Sequence, residues 1–335
     1  MTQLAQGPSA GASADVGAQR PAPSSSRRRM ALAGVVLVLL VAVPYLTPGY
    51  LSFLIVMGVF FLVVLGLDVF LGQAGQVSLG QTLFLALGAY GGGVLSLRYS
   101  VPPLVALVLM AVVSAAVAYL LGRLFLRLRG YYLSLATLGL AVITASLANG
   151  LVGITGGPSG LVGIPNIGVG SFVAVSDTAN YYVVLGVCML GSWFVAGLLR
   201  SQTGRALAAI SSDQQAAAML GIDPARYKTA AFMVAAVFAS VGGSLYAFYS
   251  RFVSPDMVGV LVALNLVVML ALGGSRTIGG PLLGVFLLQI LPQAGQTVAA
   301  YEPLLAGIVL VVVITYLPHG LWGGLRTLVE RRLRR

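Results

Sequence analysis

Residues 51–71 read LSFLIVMGVFFLVVLGLDVFL, and only Asp68 among them carries a formal charge. A bilayer core of about 30 Å takes about 20 helical residues to cross, so this run has the length and the composition of a membrane-spanning helix. A strand of a membrane barrel would read differently, as segments of roughly 10 residues with polar lumen positions alternating with apolar ones. Searching outward for charge-poor runs bounded by Gly, Pro or charge adds 30–46, 81–97, 102–122, 131–150, 180–199, 229–250, 257–274, 280–296 and 303–318, which makes ten expected spans. Asp68 is the one formal charge inside any of them. The composition agrees: 8% of the 335 residues are charged and 59% hydrophobic, whereas a water-exposed surface uses roughly 25–35% charged residues. A single cysteine also excludes a disulfide-stapled secreted domain. The expected fold class is an all-α integral membrane protein, a polytopic helical bundle.

The sign of the charges orients the bundle. With ten spans and a cytoplasmic N-terminus, 17 of the 19 basic residues fall inside: Arg20, Arg27–Arg29, Arg123, Arg127, Arg129, Arg200, Arg205, Arg226, Lys228, Arg276, Arg326, Arg331, Arg332, Arg334 and Arg335. Only Arg98 and Arg251 fall outside. This asymmetry follows the positive-inside rule, with both termini in, and it explains the +11 balance without nucleic acid. Residues 1–29, rich in Ala, Gly, Ser and Pro, are expected to be a disordered cytoplasmic tail. Residues 319–335 are expected to be a basic cytoplasmic tail, with 30–318 as the membrane domain between them. Ser26-Arg27-Arg28-Arg29 before an apolar run has the look of an export signal, but no small-x-small cleavage pattern closes the run. A retained first helix is expected.

Four segments carry more than hydrophobicity. Gly72-Gln73-Ala74-Gly75-Gln76-Val77-Ser78-Leu79-Gly80-Gln81 lies between spans two and three and has no basic anchor. Two readings fit it: a segment dipping into the membrane beside a solute path, where non-helical backbone must be satisfied by protein or water, or a tight helix-packing turn. Thr155-Gly156-Gly157-Pro158-Ser159-Gly160 sits in a long external loop at 151–179 and reads as a gate, a docking surface or a solvated connector. On the same side Asp177, Asp256, Glu302, Arg98 and Arg251 offer charges for docking. The cytoplasmic stretch 200–228 is Ala-rich and helix-favouring, with Gly221 placed to end a helix and Asp223-Pro224 to open the next. One short helix on that face, shaped to fit a soluble partner, is expected. Gly273-Gly274-Ser275-Arg276-Thr277-Ile278-Gly279-Gly280-Pro281 is a Gly-rich turn and no phosphate loop; no G-x-x-x-x-G-K-[ST] occurs, so any ATP is bound by another chain.

Asp68, an intramembrane carboxylate, reads either as a functional charge or as a capping or snorkelling side chain. Cys188 and His319 lack neighbours at metal-ligand spacing, so no metal site and no catalytic constellation is expected. The polar candidates for a solute path are Asp68, Gln73, Gln76, Ser78, Gln81, Tyr90, Thr137 and Asn149.

Taken together, Leu65-Gly66-Leu67-Asp68, Gly75 to Gln81, Gly88-Ala89-Tyr90, Arg129-Gly130-Tyr131-Tyr132 with Thr137-Leu138, Thr155 to Gly160, Gly204-Arg205-Ala206-Leu207 to Leu220-Gly221, Ser254-Pro255, and Leu272-Gly273-Gly274 with Gly279-Gly280-Pro281 resemble a family over about residues 50 to 320. It is the LivM-type permease family of branched-chain amino-acid ABC importers. The resemblance implies a multi-pass subunit of the bacterial cytoplasmic membrane that pairs with a LivH-type permease. Two ATP-binding subunits would dock on its cytoplasmic face, and a periplasmic or lipid-anchored solute-binding protein would feed it. It implies no cofactor in this chain, ATP and Mg being held by the partner subunits, and no enzymatic activity of its own. Gly204, Arg205, Asp213, Gln214, Gln215 and Gly221 would belong to the ATPase-coupling segment, and Thr155, Gly156, Gly157 and Pro158 to the external gate or docking site. Two departures stand out: glutamine, Gln214 or Gln215, replaces the usual acidic residue of the coupling motif, and Asp68 stands where asparagine is common. The implied solute is a branched-chain or related neutral amino acid. Urea, short amides and aromatic acids use the same architecture, and a secondary transporter or channel is the alternative of a different class.

Overall fold

The computed structural model describes residues 48–126, 128, 130–169 and 172–290, together with Val41, Ala42, Pro44, Gly307 and 320–324. The expected tails at 1–29 and 319–335, the runs 30–46 and 303–318, and the end of the run 280–296 lie wholly or largely outside the described residues. The chain divides into two units, the residues up to Pro48 and those from Gly49 onward, and the second of these builds the helical bundle.

Among the described residues, five helices are long and apolar enough to cross a membrane: Leu51–Gln73, Pro103–Phe125, Tyr131–Gly150, Asp177–Arg200 and Pro224–Ser250. Their positions follow five of the apolar runs. In chain order, α1 (Leu51–Leu67) continues into a π turn, Asp68–Gln73. A non-helical segment, 74–80, leads to α2 (Gln81–Ala86), a second π turn (Leu87–Gly91) and α3 (Gly92–Arg98), which together form one continuous helix. Then come α4 (Pro103–Phe125), α5 (Tyr131–Gly150), the single turn α6 (Val152–Thr155) and α7 (Asp177–Arg200). Two short helices follow, α8 (Gln202–Ser212) and α9 (Gln214–Met219), before the longest, α10 (Pro224–Ser250). The shorter α11 (Val260–Gly273) and α12 (Gly279–Ile290) complete the set. The run expected at 257–274 is divided: Pro255–Val258 forms a 3-10 turn and the α-helix starts only after Gly259, because a proline opens a turn readily and glycine adds nothing to hold it in helix.

Side-chain caps set the polar helix ends. Ser176 Oγ accepts the Ala179 N–H at the start of α7, and Asp223 Oδ1 accepts those of Ala225 and Arg226 at the start of α10, where Pro224 takes the first helical position. Each relieves backbone donors that a helix N-terminus leaves unpaired.

Helix α10 is the axis of the bundle and is buried along most of its length. It runs antiparallel to α1, with Phe70 against Phe232 (5.0 Å between ring centroids) and Gly242 against Val59 and Val63. Against the helix 81–98 the backbones nearly touch. A Cβ at Gly88 would overlap the Ser240 carbonyl, and one at Gly243 the Leu85 carbonyl. Lipid is as apolar as leucine, so helices in a membrane gain from close backbone packing rather than from burial, and these glycines permit it. Ser244 Oγ adds a hydrogen bond to the Gly88 carbonyl, 2.9 Å. Helices α4, α5 and α7 lie outside, with apolar side chains such as Val112, Ile143 and Trp193 exposed.

The helix directions place Arg123, Arg200, Arg205, Arg226, Lys228 and Arg276 at one end of the bundle and Arg98 and Arg251 at the other, the described share of the asymmetry read from the sequence. At the second end β1 (Leu161–Val162) pairs antiparallel with β4 (Phe252–Val253), and β2 (Gly168–Val169) with β3 (Phe172–Val173).

Candidate functional site

The segment 74–80 rests on the first two turns of α5. The Leu79 N–H donates to Thr137 Oγ1 (3.0 Å), Ser134 Oγ donates to the Val77 carbonyl (3.3 Å), and the Gly80 N–H donates to Ser78 Oγ (3.3 Å). The loop's backbone polar groups are therefore partly met by protein, the condition for irregular backbone at membrane depth. Ser78 and Thr137 are brought together here, both buried. Gln73 is buried at the end of the π turn. Gln76 is half-exposed and turns its amide onto the Ala74 and Gly75 carbonyls.

The remaining path candidates do not join them. Gln81 Nε2 donates to the Ala235 carbonyl on α10 at 2.7 Å, a buried interhelical bond that anchors α2. Asn149 is exposed near the far end of α5 and donates to the Ala145 carbonyl one turn back, at 2.9 Å. Tyr90 is buried midway along the helix 81–98, and its hydroxyl has no hydrogen-bond partner among the described residues. Thr82, Ser96, Ser114 and Ser240 share that property. Thr82 and Ser96 share the helix 81–98 with Tyr90, Ser240 lies on α10 and Ser114 on α4, so the unpaired hydroxyls are spread over three helices. Their small residue types gave no signal in the sequence.

Asp68 has a defined place. Its Oδ1 accepts the backbone N–H of Arg276 at 2.8 Å, and Arg276 Nε donates to the Gly72 carbonyl at 2.9 Å. The same guanidinium donates to Ser211 Oγ on α8, and Ser211 also lies against Gly75. Arg276 holds φ +66 to make these contacts, the left-handed region that non-glycine residues seldom occupy. One arginine of the Gly-rich turn 273–281 thus links the end of α1, the start of the 74–80 segment and α8. Asp68 acts here as an acceptor for a neighbouring backbone, and an asparagine Oδ1 would serve equally. Its Oδ2 is buried and has no hydrogen-bond partner among the described residues.

The stretch 200–228 differs from the single helix expected. Asp213 leaves the helical region (φ −153, ψ 111), and its Oδ1 accepts the N–H groups of Gln215 and Ala216 at 2.8 and 3.1 Å. An aspartate that caps a new helix competes with continuation of the old one, so Gln202–Ser212 and Gln214–Met219 become two helices. Gly204 sits in the first, where Ser201 Oγ accepts its N–H, and Arg205 Nη1 donates to the Arg200 carbonyl. Gly221, at φ +82, closes the second as the sequence suggested. Of the two glutamines, Gln214 is the one tied inward: Lys228 Nζ donates to Gln214 Oε1 at 2.7 Å, with Lys228 only 4% exposed. Beyond them Met219 and Leu220 stand 89% and 82% exposed.

At the other end Thr155 is buried and donates from Oγ1 to the Ala148 carbonyl at 2.7 Å, while the Gly157 N–H donates back to it at 3.1 Å. Gly156 and Gly157 take positive φ, and Pro158 is exposed at the tip. These residues form a compact knot over the end of α5. Cys188 is a buried packing residue whose Sγ reaches the Gly58 carbonyl, and no cluster of metal-ligating side chains occurs among the described residues.

Comparison with known proteins fits this arrangement. Residues 49–315 match the family described as the permease component of branched-chain amino acid transport systems. The high-affinity branched-chain amino acid transport system permease protein LivM of Salmonella typhimurium (strain LT2) is 31% identical over 309 residues, spanning 85% of this chain and 73% of that protein. LivM of Escherichia coli K12 is 30% identical over 310 residues, with the same shares. The autoinducer 2 import system permease protein LsrC of Enterobacter sp. (strain 638) is 30% identical over 254 residues, 72% of this chain and 70% of that one. No solved structure matches significantly. The apolar helices, the segmented linker at the basic end and the match over most of the chain lead to one conclusion: this multi-pass membrane protein belongs to the branched-chain amino-acid permease family of ABC transporters.

Proposed function

We propose that the chain is the transmembrane permease subunit of an ATP-driven importer in the bacterial cytoplasmic membrane, forming with a second, LivH-type permease the path for branched-chain or related neutral amino acids. Two ATP-binding subunits, which hold the ATP and Mg, dock on its basic face. A solute-binding protein delivers the substrate at the opposite face, against the knot of Thr155 to Pro158. The chain itself needs no cofactor.

The observation that carries this reading is the construction of α8 and α9. One side of the pair is tied inward through Ser211, Arg276 and Lys228, and its tip presents Met219 and Leu220 to the surface. Apolar side chains at the tip of a water-facing segment suit a protein interface. The ties give a docked motor a route to Asp68, Gly72 and the 74–80 segment. On this reading the solute path passes Gln73, Ser78 and Tyr90, whereas Gln81 ties α2 to α10 and Asn149 bonds only within α5.

Met219→Asp with Leu220→Asp tests the docking. Co-expressed ATP-binding subunits should co-purify with the natural chain and be lost from the variant, while the variant keeps its melting temperature. Retention of those subunits by the variant would refute the interface, and transport by the chain alone in liposomes would identify a secondary transporter or channel. Thermal-shift screening of the cognate binding protein should select leucine, isoleucine or valine; selection of urea, a short amide or an aromatic acid would reassign the substrate. Unchanged uptake in both Gln76→Ala and Ser78→Ala would move the path away from 74–80.

A further inference from the structure

A cavity of about 1000 Å³ opens at the basic end between the last turns of α4 and the first turns of α10, with Tyr119, Arg123, Gln214, Asp223 and Arg226 on its walls. A second, of about 590 Å³, follows α10 deeper into the bundle between α4 and α7, and its walls are almost wholly carbon, from Leu190, Phe194, Val237, Phe238 and Val241. Ala230 and Met233 line both. The two are therefore successive parts of one groove, charged at its mouth and apolar along its length. We propose that this groove binds an anionic phospholipid of the cytoplasmic leaflet, the phosphate held by Arg123 and Arg226 and one acyl chain lying along α10.

The chemistry of the mouth suits a phosphate. Arg123 and Arg226 are both exposed, and neither guanidinium has an acceptor among the described residues. Arg123 is steadied over the Tyr119 ring, 4.6 Å from its centroid, a cation–π contact that leaves its donors free. Guanidinium groups bind phosphate through paired N–H donors, and basic pockets between helices at the cytoplasmic side are suited to anionic headgroups. The one carboxylate at the mouth, Asp223, has its Oδ1 engaged by the N–H groups of Ala225 and Arg226.

The dimensions suit an acyl chain. From Thr229 to Val241 the helix rises about 18 Å at 1.5 Å per residue, close to half of a hydrocarbon core of about 30 Å.

The test uses the full chain, delipidated in detergent, with dioleoyl phosphatidylglycerol and dioleoyl phosphatidylcholine as probes, read by retained lipid in native mass spectrometry and by melting temperature. Phosphatidylglycerol should bind at least about ten-fold more tightly and raise the melting temperature more. The double variant Arg123→Gln, Arg226→Gln should lower its affinity by about thirty-fold, the effect expected of two basic side chains at a membrane surface, and leave phosphatidylcholine unchanged. Val237→Trp, which fills the apolar part, should weaken both lipids; if that variant does not fold, the arginine pair carries the test. Equal binding of the two lipids, or no effect of the arginine variant, overturns the proposal. So does binding of soluble glycerol phosphate as tight as that of the lipid, or a cross-link from Val237→Cys to a helix of a partner subunit or to residues 30–46. If the arginine variant lost the ATP-binding subunits but kept its lipid, the mouth would be a protein interface and the lipid assignment would fall.

Discussion

Arg276 offers a perturbation that separates stability from coupling. Its guanidinium joins the Gly72 carbonyl to Ser211 Oγ, and its backbone N–H reaches Asp68 whatever the side chain. Charge-assisted hydrogen bonds are worth about 1.5–3 kcal/mol when shielded from water, but Arg276 is exposed, and solvent brings each to roughly 0.5–1 kcal/mol. Arg276→Ala should therefore cost about 1–2 kcal/mol, a melting temperature lower by roughly 2–8 °C. Arg276→Gly loses the same bonds but relieves the left-handed backbone at φ +66. That relief is worth about 1–2 kcal/mol, less about 0.5–1 kcal/mol for the freer unfolded chain, so it should melt above the alanine variant. Function should not follow this order. Both variants cut the link between α8 and the end of α1, and at about 1–2 kcal/mol of coupling each should lose roughly 5–30-fold of solute-stimulated ATP hydrolysis in the assembled importer. Full stimulation in both variants would refute the transmission route, and an alanine variant more stable than the glycine one would refute the strain argument.

Three further outcomes are expected. Gly88→Leu or Gly243→Leu should abolish stable insertion, because even a Cβ meets backbone on the facing helix; Gly88→Ala should cost about 1–3 kcal/mol through overpacking, read by melting in detergent. Gln214→Leu removes an acceptor from the buried Lys228 ammonium and should cost about 1–3 kcal/mol, whereas Gln214→Glu should keep the contact and stay within about 1 kcal/mol of the natural chain; equal melting of all three would show that the bond is idle. Asp68→Asn should keep the Oδ1 acceptor for the Arg276 N–H and retain uptake, while Asp68→Ala leaves that donor unmet at about 1–3 kcal/mol; loss of uptake in the asparagine variant alone would show that the charge itself is used.

The apolar runs predicted the helices well where hydrophobicity alone decides. The run 131–150 coincides with α5, and 102–122 and 180–199 differ from α4 and α7 by three residues or fewer at each end. Hydrocarbon length constrains such a helix regardless of what surrounds it. The run 229–250 began five residues late because α10 starts at the Asp223-Pro224 cap, beyond the apolar stretch. That cap was visible in the sequence, and so was Gly221. Asp213 was visible too, but its choice between continuing α8 and opening α9 depends on which backbone donors it meets, and composition favoured one helix.

The polar candidates were less legible for a related reason. A glutamine in a membrane must satisfy its amide somewhere, and the sequence does not say whether the acceptor is a solute or a carbonyl of another helix. Gln81 finds the Ala235 carbonyl, 154 residues away, and becomes a helix anchor. Arg276 finds Gly72, 204 residues away, and becomes a junction. In both cases the residue type was noticed and the role was set by its opposite number. The same logic singles out the buried polar groups that packing has not satisfied. Tyr90, Thr82 and Ser96 on the helix 81–98, Ser240 on α10 and Ser114 on α4 keep buried hydroxyls without partners among the described residues, whereas Gln81 Nε2 and Thr137 Oγ1 are engaged. Buried polar atoms are seldom left unpaired at no benefit, so on the proposed importer reading these hydroxyls join Gln73 and Ser78 as polar groups open to a solute.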